Sequence, residues 1–298
     1  MKIACIGEAM VEVALSRAGD TARIGFAGDT LNTAIYLARK QPDWHVAYLS
    51  RVGADDLSSN LLAYMADQGV QTDLVGISQT RSVGLYSIAT DDTGERSFSY
   101  WRDTSAARET FGAPTPDFAD LSGFSVVYLS AITLAILPKS VRDALLEALQ
   151  AYRRTGGRVA FDSNFRPKLW EDHSTAQTYI EAFWRITDIA LPSVDDEMAV
   201  FGDVDRGAVS ARLKGFGITQ GALKCGPTGP LDLSPAQIEQ DYPAAQKVID
   251  TTAAGDSFNA GFLAAYLAGK GAAASLMAGH ELAADVIGYP GAIMPKDA

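Results

Sequence analysis

Asp250-Thr251-Thr252-Ala253-Ala254-Gly255-Asp256-Ser257-Phe258 is the stretch that decides how this chain is read. Lys247-Val248-Ile249 before it reads as a strand, and the small-residue segment 259–266 after it reads as a helix. Ala253, Ala254 and Gly255 at such a turn let the backbone come close to a ligand. The N–H groups at a helix start have no intrahelical acceptor and face an anion readily. A carboxylate among those donors, Asp256, repels a phosphate unless it has work to do. It therefore points to a proton acceptor at a phosphoryl or oxyanion centre. The local pattern alone fits an ordinary capped helix with Asp in its first turn equally well.

The 298 residues are 47% hydrophobic and 20% charged, a globular composition with length for a large core. A net charge of −11 argues against a general nucleic-acid or anionic-membrane binder. An anionic small substrate would need a local basic cluster. Met1-Lys2-Ile3-Ala4-Cys5-Ile6-Gly7 is already strand-like, with no signal-peptide pattern, and no apolar run is long enough to span a bilayer. Cys5 and Cys225 sit in apolar strand-like contexts and read as buried free thiols. These features predict a cytoplasmic protein.

Short apolar runs at 2–7, 46–53, 126–130, 158–162, 189–192 and 222–225 alternate with helical patterns at 32–39, 58–68, 140–155 and 175–185. That alternation predicts an α/β fold with a mainly parallel sheet covered on both faces. Two segments interrupt it. Residues 12–27 read as extended chain around a Gly-rich turn. Residues 83–89 and 96–102 alternate strictly about Asp91-Asp92-Thr93-Gly94-Glu95, a hairpin signature. Together they predict a small β-sheet lid, from roughly 12–27 and 82–103, on a single domain spanning 1–298. Its exposed face would suit a dimer contact. In open parallel sheets ligands bind beyond the carboxyl ends of the strands. Gly7-Glu8, Asp162-Ser163-Asn164-Phe165-Arg166, Gly226-Pro227-Thr228-Gly229 and the Asp256 turn all fall there.

Gly28-Asp29-Thr30-Leu31-Asn32-Thr33-Ala34 opens a helix, with Asp29 or Thr30 as its cap and Asn32 facing the site mouth. Amide and carboxylate groups suit polyol hydroxyls, although a plain capping segment looks the same. Arg102 and Arg166 are the cations of interest, since a planar guanidinium grips a carboxylate or phosphate with paired hydrogen bonds. Each taken singly also fits a surface ion pair. Tyr86 and Tyr100, on facing hairpin strands, offer hydroxyl donors or simple cross-strand packing. The turn 226–229 follows Ala222-Leu223-Lys224-Cys225 and fits a flat adenine or a phosphate tail. Asp195-Asp196-Glu197 is either a water-mediated magnesium contact or a solvated helix start. His45, His173 and His280 show no metal-ligand spacing, and neither a Walker loop nor an early dinucleotide fingerprint occurs.

The segment 250–258 resembles the C-terminal signature of the ribokinase/PfkB carbohydrate-kinase family. Gly28-Asp29-x-x-Asn32-x-Ala34 resembles that family's N-terminal signature, and the order and spacing agree over essentially the whole chain. Gly84-Leu85-Tyr86, Thr93-Gly94-Glu95-Arg96, Tyr100-Trp101-Arg102 and Asp162-Ser163-Asn164-Phe165-Arg166 are most similar to members that phosphorylate the sugar acid 2-keto-3-deoxygluconate. The resemblance implies a ribokinase-like three-layer α/β/α sandwich using ATP and Mg2+, with a monovalent cation as a possible accessory, working as a homo-oligomer. It implies Asp256 as base, with the N–H groups of Ala253, Ala254 and Gly255 as the anion hole. Gly28, Asp29, Asn32, Tyr86, Tyr100, Arg102 and Arg166 would hold the sugar acid. Ser193, Lys224, Gly226, Thr228, Gly229 and Gly255 would line the nucleotide. The alternatives are a kinase of another sugar, such as fructose or a different keto-deoxy acid, and a non-catalytic sugar-acid sensor. Three departures stand out. Ala253 takes a signature glycine's place and is strained if φ is positive. Ser193-Val194-Asp195-Asp196 replaces an Asn-x-x-Glu magnesium motif. Gly291-Ala292 stands where some relatives carry Gly-Asp.

Overall fold

The computed structural model describes residues 1–16, 18–90, 96–112 and 117–297. The chain opens with β1 (Lys2–Ile6), then β2 (Met10–Leu15) and β3 (Ala22–Ala27), α1 (Asp29–Lys40), β4 (His45–Gly53), α2 (Asp56–Asp67) and β5 (Val75–Ser78). Next come β6 (Gly84–Thr90), β7 (Arg96–Trp101), β8 (Val126–Ser130), α3 (Ala131–Ile136), α4 (Lys139–Arg154), β9 (Arg158–Asp162), α5 (His173–Trp184) and β10 (Ile189–Ala190). The last third holds α6 (Val194–Phe201), α7 (Arg206–Gly215), β11 (Ala222–Leu223), β12 (Leu231–Asp232), α8 (Ala254–Leu267) and α9 (Ala272–Val286).

Six strands pair in the order β10-β9-β8-β1-β4-β5, and every pairing is parallel. Period-two alternation splits the core in two. Ala4, Ile6, Val127, Leu129, Val159 and Phe161 face one cluster, with Leu145 and Leu149 of α4 and Phe183 of α5. Ile3, Cys5, Val126, Tyr128 and Ala160 face the other, with Leu31 and Ile35 of α1, Phe262 of α8 and Leu276 of α9. This is the predicted three-layer sandwich, and both cysteines are buried and free. Among the described residues no helix is long and apolar enough to cross a membrane.

The small sheet is separate and runs β3-β2-β6-β7. Its two hairpins are antiparallel, and β2 and β6 join them in parallel. The tip predicted at 91–95 lies outside the described residues. One face of this sheet reaches the body: Met10, Ala27, Tyr86 and Ile88 form an apolar cluster with Ala292, against which Ala253 packs. The sheet thus lies over the turn that begins α8.

Two expectations fail. Lys247-Val248-Ile249 is not a strand. Val248 and Ile249 are exposed, and their chain is held by the Ile249 N–H on the Ile287 carbonyl (2.7 Å), outside any sheet. Two β-branched residues form a strand only where a neighbouring strand pairs with them. Asp29 and Thr30 do not cap α1 either. Gly28 is the N-cap, without a side-chain cap bond, because a Cβ at Gly28 would stand 2.2 Å from the Glu8 carbonyl oxygen.

Candidate active site

β1 has β4 on one side and β8 on the other, so the strand order reverses beside it, where open α/β sheets bind ligands. α1 starts here, and Asp29, freed from capping, ties three elements together. Its carboxylate accepts from Ser130 Oγ at the end of β8 (2.5 Å) and from Asn164 Nδ2 beyond β9 (2.9 Å). Burial, and secondarily the charge of Asp162, raise its pKa against the Ser130 hydrogen bond. One turn on, Asn32 Nδ2 donates to Asp256 Oδ2 at 2.8 Å. The two family-like signatures, 224 residues apart in sequence, therefore meet in one hydrogen bond.

Ala253 caps α8 with φ 62° and ψ 14°, squarely left-handed. An L-residue there costs roughly 1–2 kcal/mol, which a glycine avoids. The Ala254 N–H donates to the Thr251 carbonyl (3.2 Å), and the Ser257 N–H donates to the Ala253 carbonyl (2.9 Å). Among the described residues no acceptor takes the N–H groups of Ala253 and Gly255, so both remain available to an anion. Asp250, at the head of the signature, braces the turn by accepting from the Thr252 N–H and hydroxyl and from the Gly291 N–H. The Gly291-Ala292 departure is used structurally, since the Ala292 carbonyl also accepts from Tyr36. Ala253→Gly should relieve the strain and return part of it as unfolded-chain entropy, a net gain of about 0.5 kcal/mol and a melting temperature up by about 1–2 °C. A lower melting temperature by calorimetry would contradict the strain reading.

Asp256 is buried on the first turn of α8. Its pKa is pushed up to about 8, first by burial, then by the charges of Asp29 and Asp162, against the Asn32 hydrogen bond and the Lys224 cation. A carboxyl poised there suits proton transfer near neutrality. Beside it, Lys224 Nζ stands 2.9 Å from Asp162 Oδ2 and donates to Asn259 Oδ1 at 3.1 Å.

The two arginines have different settings. Arg102 is buried, and its Nε donates to Glu8 Oε2 at 2.7 Å, with its terminal amino group on the same oxygen. Burial raises the pKa of Glu8 against that cation, and among the described residues Glu8 Oε1 has no hydrogen-bond partner. Arg166 has a side chain 55% exposed, donates to the Phe165 carbonyl, and lies 3.7 Å from Asp196. Tyr86 donates to Glu12 Oε2 at 2.5 Å and stacks on its cross-strand partner Tyr100 at 5.8 Å. Glu12 was not legible as a site neighbour, because its partner Tyr86 lies 74 residues away in the chain. Glu8 fell at the ligand edge by its place after β1, but nothing local announced its pairing with Arg102, 94 residues on. Asn259 had a signal: it follows Asp256 by three residues on one helix, hence the same face.

Gly226 and Gly229 take φ 55° and 81° around the short turn after Cys225, and Thr228 Oγ1 donates to the Cys225 carbonyl. Ser193 bridges Lys224 in parallel, bringing the predicted nucleotide-side residues to one edge. Of the acidic run, Glu197 is spent inside the fold, accepting from Trp184 and Arg212. Asp196 faces the site charges, and burial followed by Asp162 pushes its pKa up to about 6.

A buried carboxyl at a helix start with free N–H donors, at the carboxyl edge of a parallel sheet, defines an α/β phosphotransferase acting on a hydroxyl. The chain belongs to the pfkB family of carbohydrate kinases, whose profile matches residues 1–298. It is 42% identical to a Dickeya dadantii protein named 2-dehydro-3-deoxygluconokinase, over 99% of this chain and 97% of that one. It is 41% identical to the protein of that name from Escherichia coli K12, over 100% and 98% respectively. The fold matches that of a fructokinase from Xylella fastidiosa solved with bound ATP, with a TM-score of 0.83 over 98% of this chain and 93% of that one. At 20% identity that last likeness speaks for the fold alone, the ribokinase-like sandwich.

Proposed function

We propose that the protein transfers the γ-phosphoryl group of ATP to the terminal hydroxyl of 2-dehydro-3-deoxygluconate (2-keto-3-deoxygluconate), giving the 6-phosphate. The observation that carries this is Asp256 bound by Asn32 at the α8 start, in a chain matched end to end by relatives of that name. Asp256 accepts the hydroxyl proton as the oxygen attacks phosphorus, and Asn32 orients the carboxylate. The N–H groups of Ala253, Ala254, Gly255 and Asp256 take the charge that builds on the phosphoryl oxygens, Ala254 first giving up its bond to Thr251. Gly28 and Asp29 line the sugar side, and Ser193, Gly226, Thr228 and Gly229 line the nucleotide.

Among the described residues no three His, Cys, Asp or Glu side chains are grouped to ligate a metal directly. Asp196, a partly suppressed carboxylate beside another acid, fits a magnesium ion through water. When bound, that ion would neutralise charge between the β- and γ-phosphates. The small sheet acts as the lid that excludes water, and Phe98, Tyr100 and Trp101, exposed on its edge strand β7, suit a second copy of the chain. The setting would be the cytoplasm.

Arg166, exposed and only loosely paired with Asp196, captures the substrate carboxylate, with Tyr86, Tyr100 and Arg102 as the further contacts in this reading. A charge-assisted hydrogen bond contributes about 1.5–3 kcal/mol, so Arg166→Ala should raise KM for the sugar acid about 10–100-fold with kcat and melting temperature nearly unchanged. Unaltered KM would remove Arg166 from the substrate site. The function itself is tested by coupled ADP release across sugar acids and neutral sugars. Turnover of fructose in preference to the keto-deoxy acid would replace the substrate, and sugar-acid binding without ADP release would leave a sensor.

A further inference from the structure

Lys224 lines the nucleotide side in the reading above, but its surroundings are more specific than that. Its backbone is locked at the sheet edge, where the Lys224 N–H donates to the Pro192 carbonyl (2.8 Å) and its own carbonyl accepts from the Val194 N–H (3.0 Å). The side chain is 11% exposed. Its ammonium has three N–H bonds, and two have partners, Asp162 Oδ2 at 2.9 Å and Asn259 Oδ1 at 3.1 Å. Those partners are fixed in turn. Asn259, fully buried, uses its amide nitrogen on Asp162 Oδ2 (2.6 Å) and Tyr128 (3.0 Å), which orients its carbonyl oxygen towards the lysine. Asp162 Oδ1 accepts from the Asn164 N–H (3.1 Å). Nζ is thereby held 3.6 Å from the point where a side chain on Gly255 would begin. Gly255 is one of the two residues, with Ala253, whose N–H is left for an anion among the described residues.

We propose that Lys224 is a catalytic residue, whose ammonium pairs with the phosphoryl group in transit at the α8 start, and that Asp162 and Asn259 are the positioning residues that aim it. The inference rests on the phosphoryl-transfer reading above. A lysine present only to neutralise Asp162 would not need Asn259 turned towards it, nor a place against the anion turn. A fixed cation where charge develops acts in a water-poor site and costs no reorganisation at the moment of transfer. A compact ammonium on a four-carbon stem also concentrates its charge at one point beside Gly255, whereas a planar guanidinium spreads it and presents its donors in a different geometry.

The test measures steady-state kinetics of wild type, Lys224→Met, Lys224→Arg, Asn259→Ala and the double variant Asp162→Asn/Lys224→Met, with 2-dehydro-3-deoxygluconate as acceptor. The double variant restores local charge balance, so it folds even if Lys224→Met alone does not. Both Met-containing proteins should lose kcat about 100–1000-fold, with KM for ATP changed far less. Lys224→Arg should recover little. Asn259→Ala should lower kcat by a smaller factor. Trapping of ADP with aluminium fluoride, followed by calorimetry, should weaken in parallel, while ADP alone binds as before. Wild-type kcat in the double variant, or a change confined to KM for ATP, would return Lys224 to a structural or nucleotide-lining role. A wild type that phosphorylates no sugar would overturn the proposal together with the function it rests on.

Discussion

Asp256→Asn should cut kcat by on the order of a thousand-fold, the usual scale for removing a positioned general base. The substitution keeps the shape of the side chain and leaves an oxygen for Asn32 Nδ2, which now lies 2.8 Å from the carboxylate. Loss of turnover therefore reports the missing base and not a collapsed helix start. The pH profile adds a second signature. With the pKa pushed up to about 8 by burial and by Asp29 and Asp162, the base is protonated over much of the physiological range. For wild type, kcat/KM should fall as pH drops below about 8, and the residual rate of Asp256→Asn should lack that limb. Stability runs the other way. A carboxyl whose folded pKa exceeds its unfolded value binds its proton more tightly in the native state. Its contribution is therefore fully present below the unfolded pKa and is lost as pH rises towards about 8. Asp256→Asn should accordingly melt higher relative to wild type at pH 9 than at pH 5. Near-wild-type turnover, or a pH profile shared by both proteins, would remove Asp256 from the proton-transfer role.

Local pattern carried much of this far. Apolar strands alternating with helices announced the parallel sheet, since a strand buried on both faces leaves no polar alternation. Gly28 and the 253–256 turn announced the two helix starts that meet at Asp256. What local pattern missed depends on partners distant in the chain. Lys247-Val248-Ile249 has strand composition but no strand to pair with. The left-handed φ of Ala253 is imposed by the turn around it, so the residue name predicts strain only once the turn geometry is known. Asp29 looked like a cap because Asp often is one, yet Ser130 and Asn164 claim its carboxylate. Arg102 read as a substrate cation or half of a surface ion pair, and its buried pairing was hidden because Glu8 is 94 residues away in the chain.

That last pair sets the second large effect. Arg102 is 7% exposed and Glu8 1%, so Arg102→Ala leaves a buried carboxyl without its cation. Breaking a buried pair from one side costs about 3–5 kcal/mol, here a drop in melting temperature on the order of 10 °C. Glu8 softens the loss by taking up a proton, for which burial already raises its pKa. The deficit should therefore be smaller at pH 5 than at pH 8. A raised KM in this single variant means little, because a loosened β7 end displaces Tyr86 and Tyr100 as well. Glu8→Gln/Arg102→Met separates the two roles. It removes both charges and fills the volume, so calorimetry should show most of the lost stability regained. If Arg102 also touches the substrate carboxylate, KM for the sugar acid stays raised by about tenfold or more in this stable protein, the scale of one charge-assisted hydrogen bond. If KM instead returns to the wild-type value, Arg102 only holds Glu8, and capture of the carboxylate falls to Arg166.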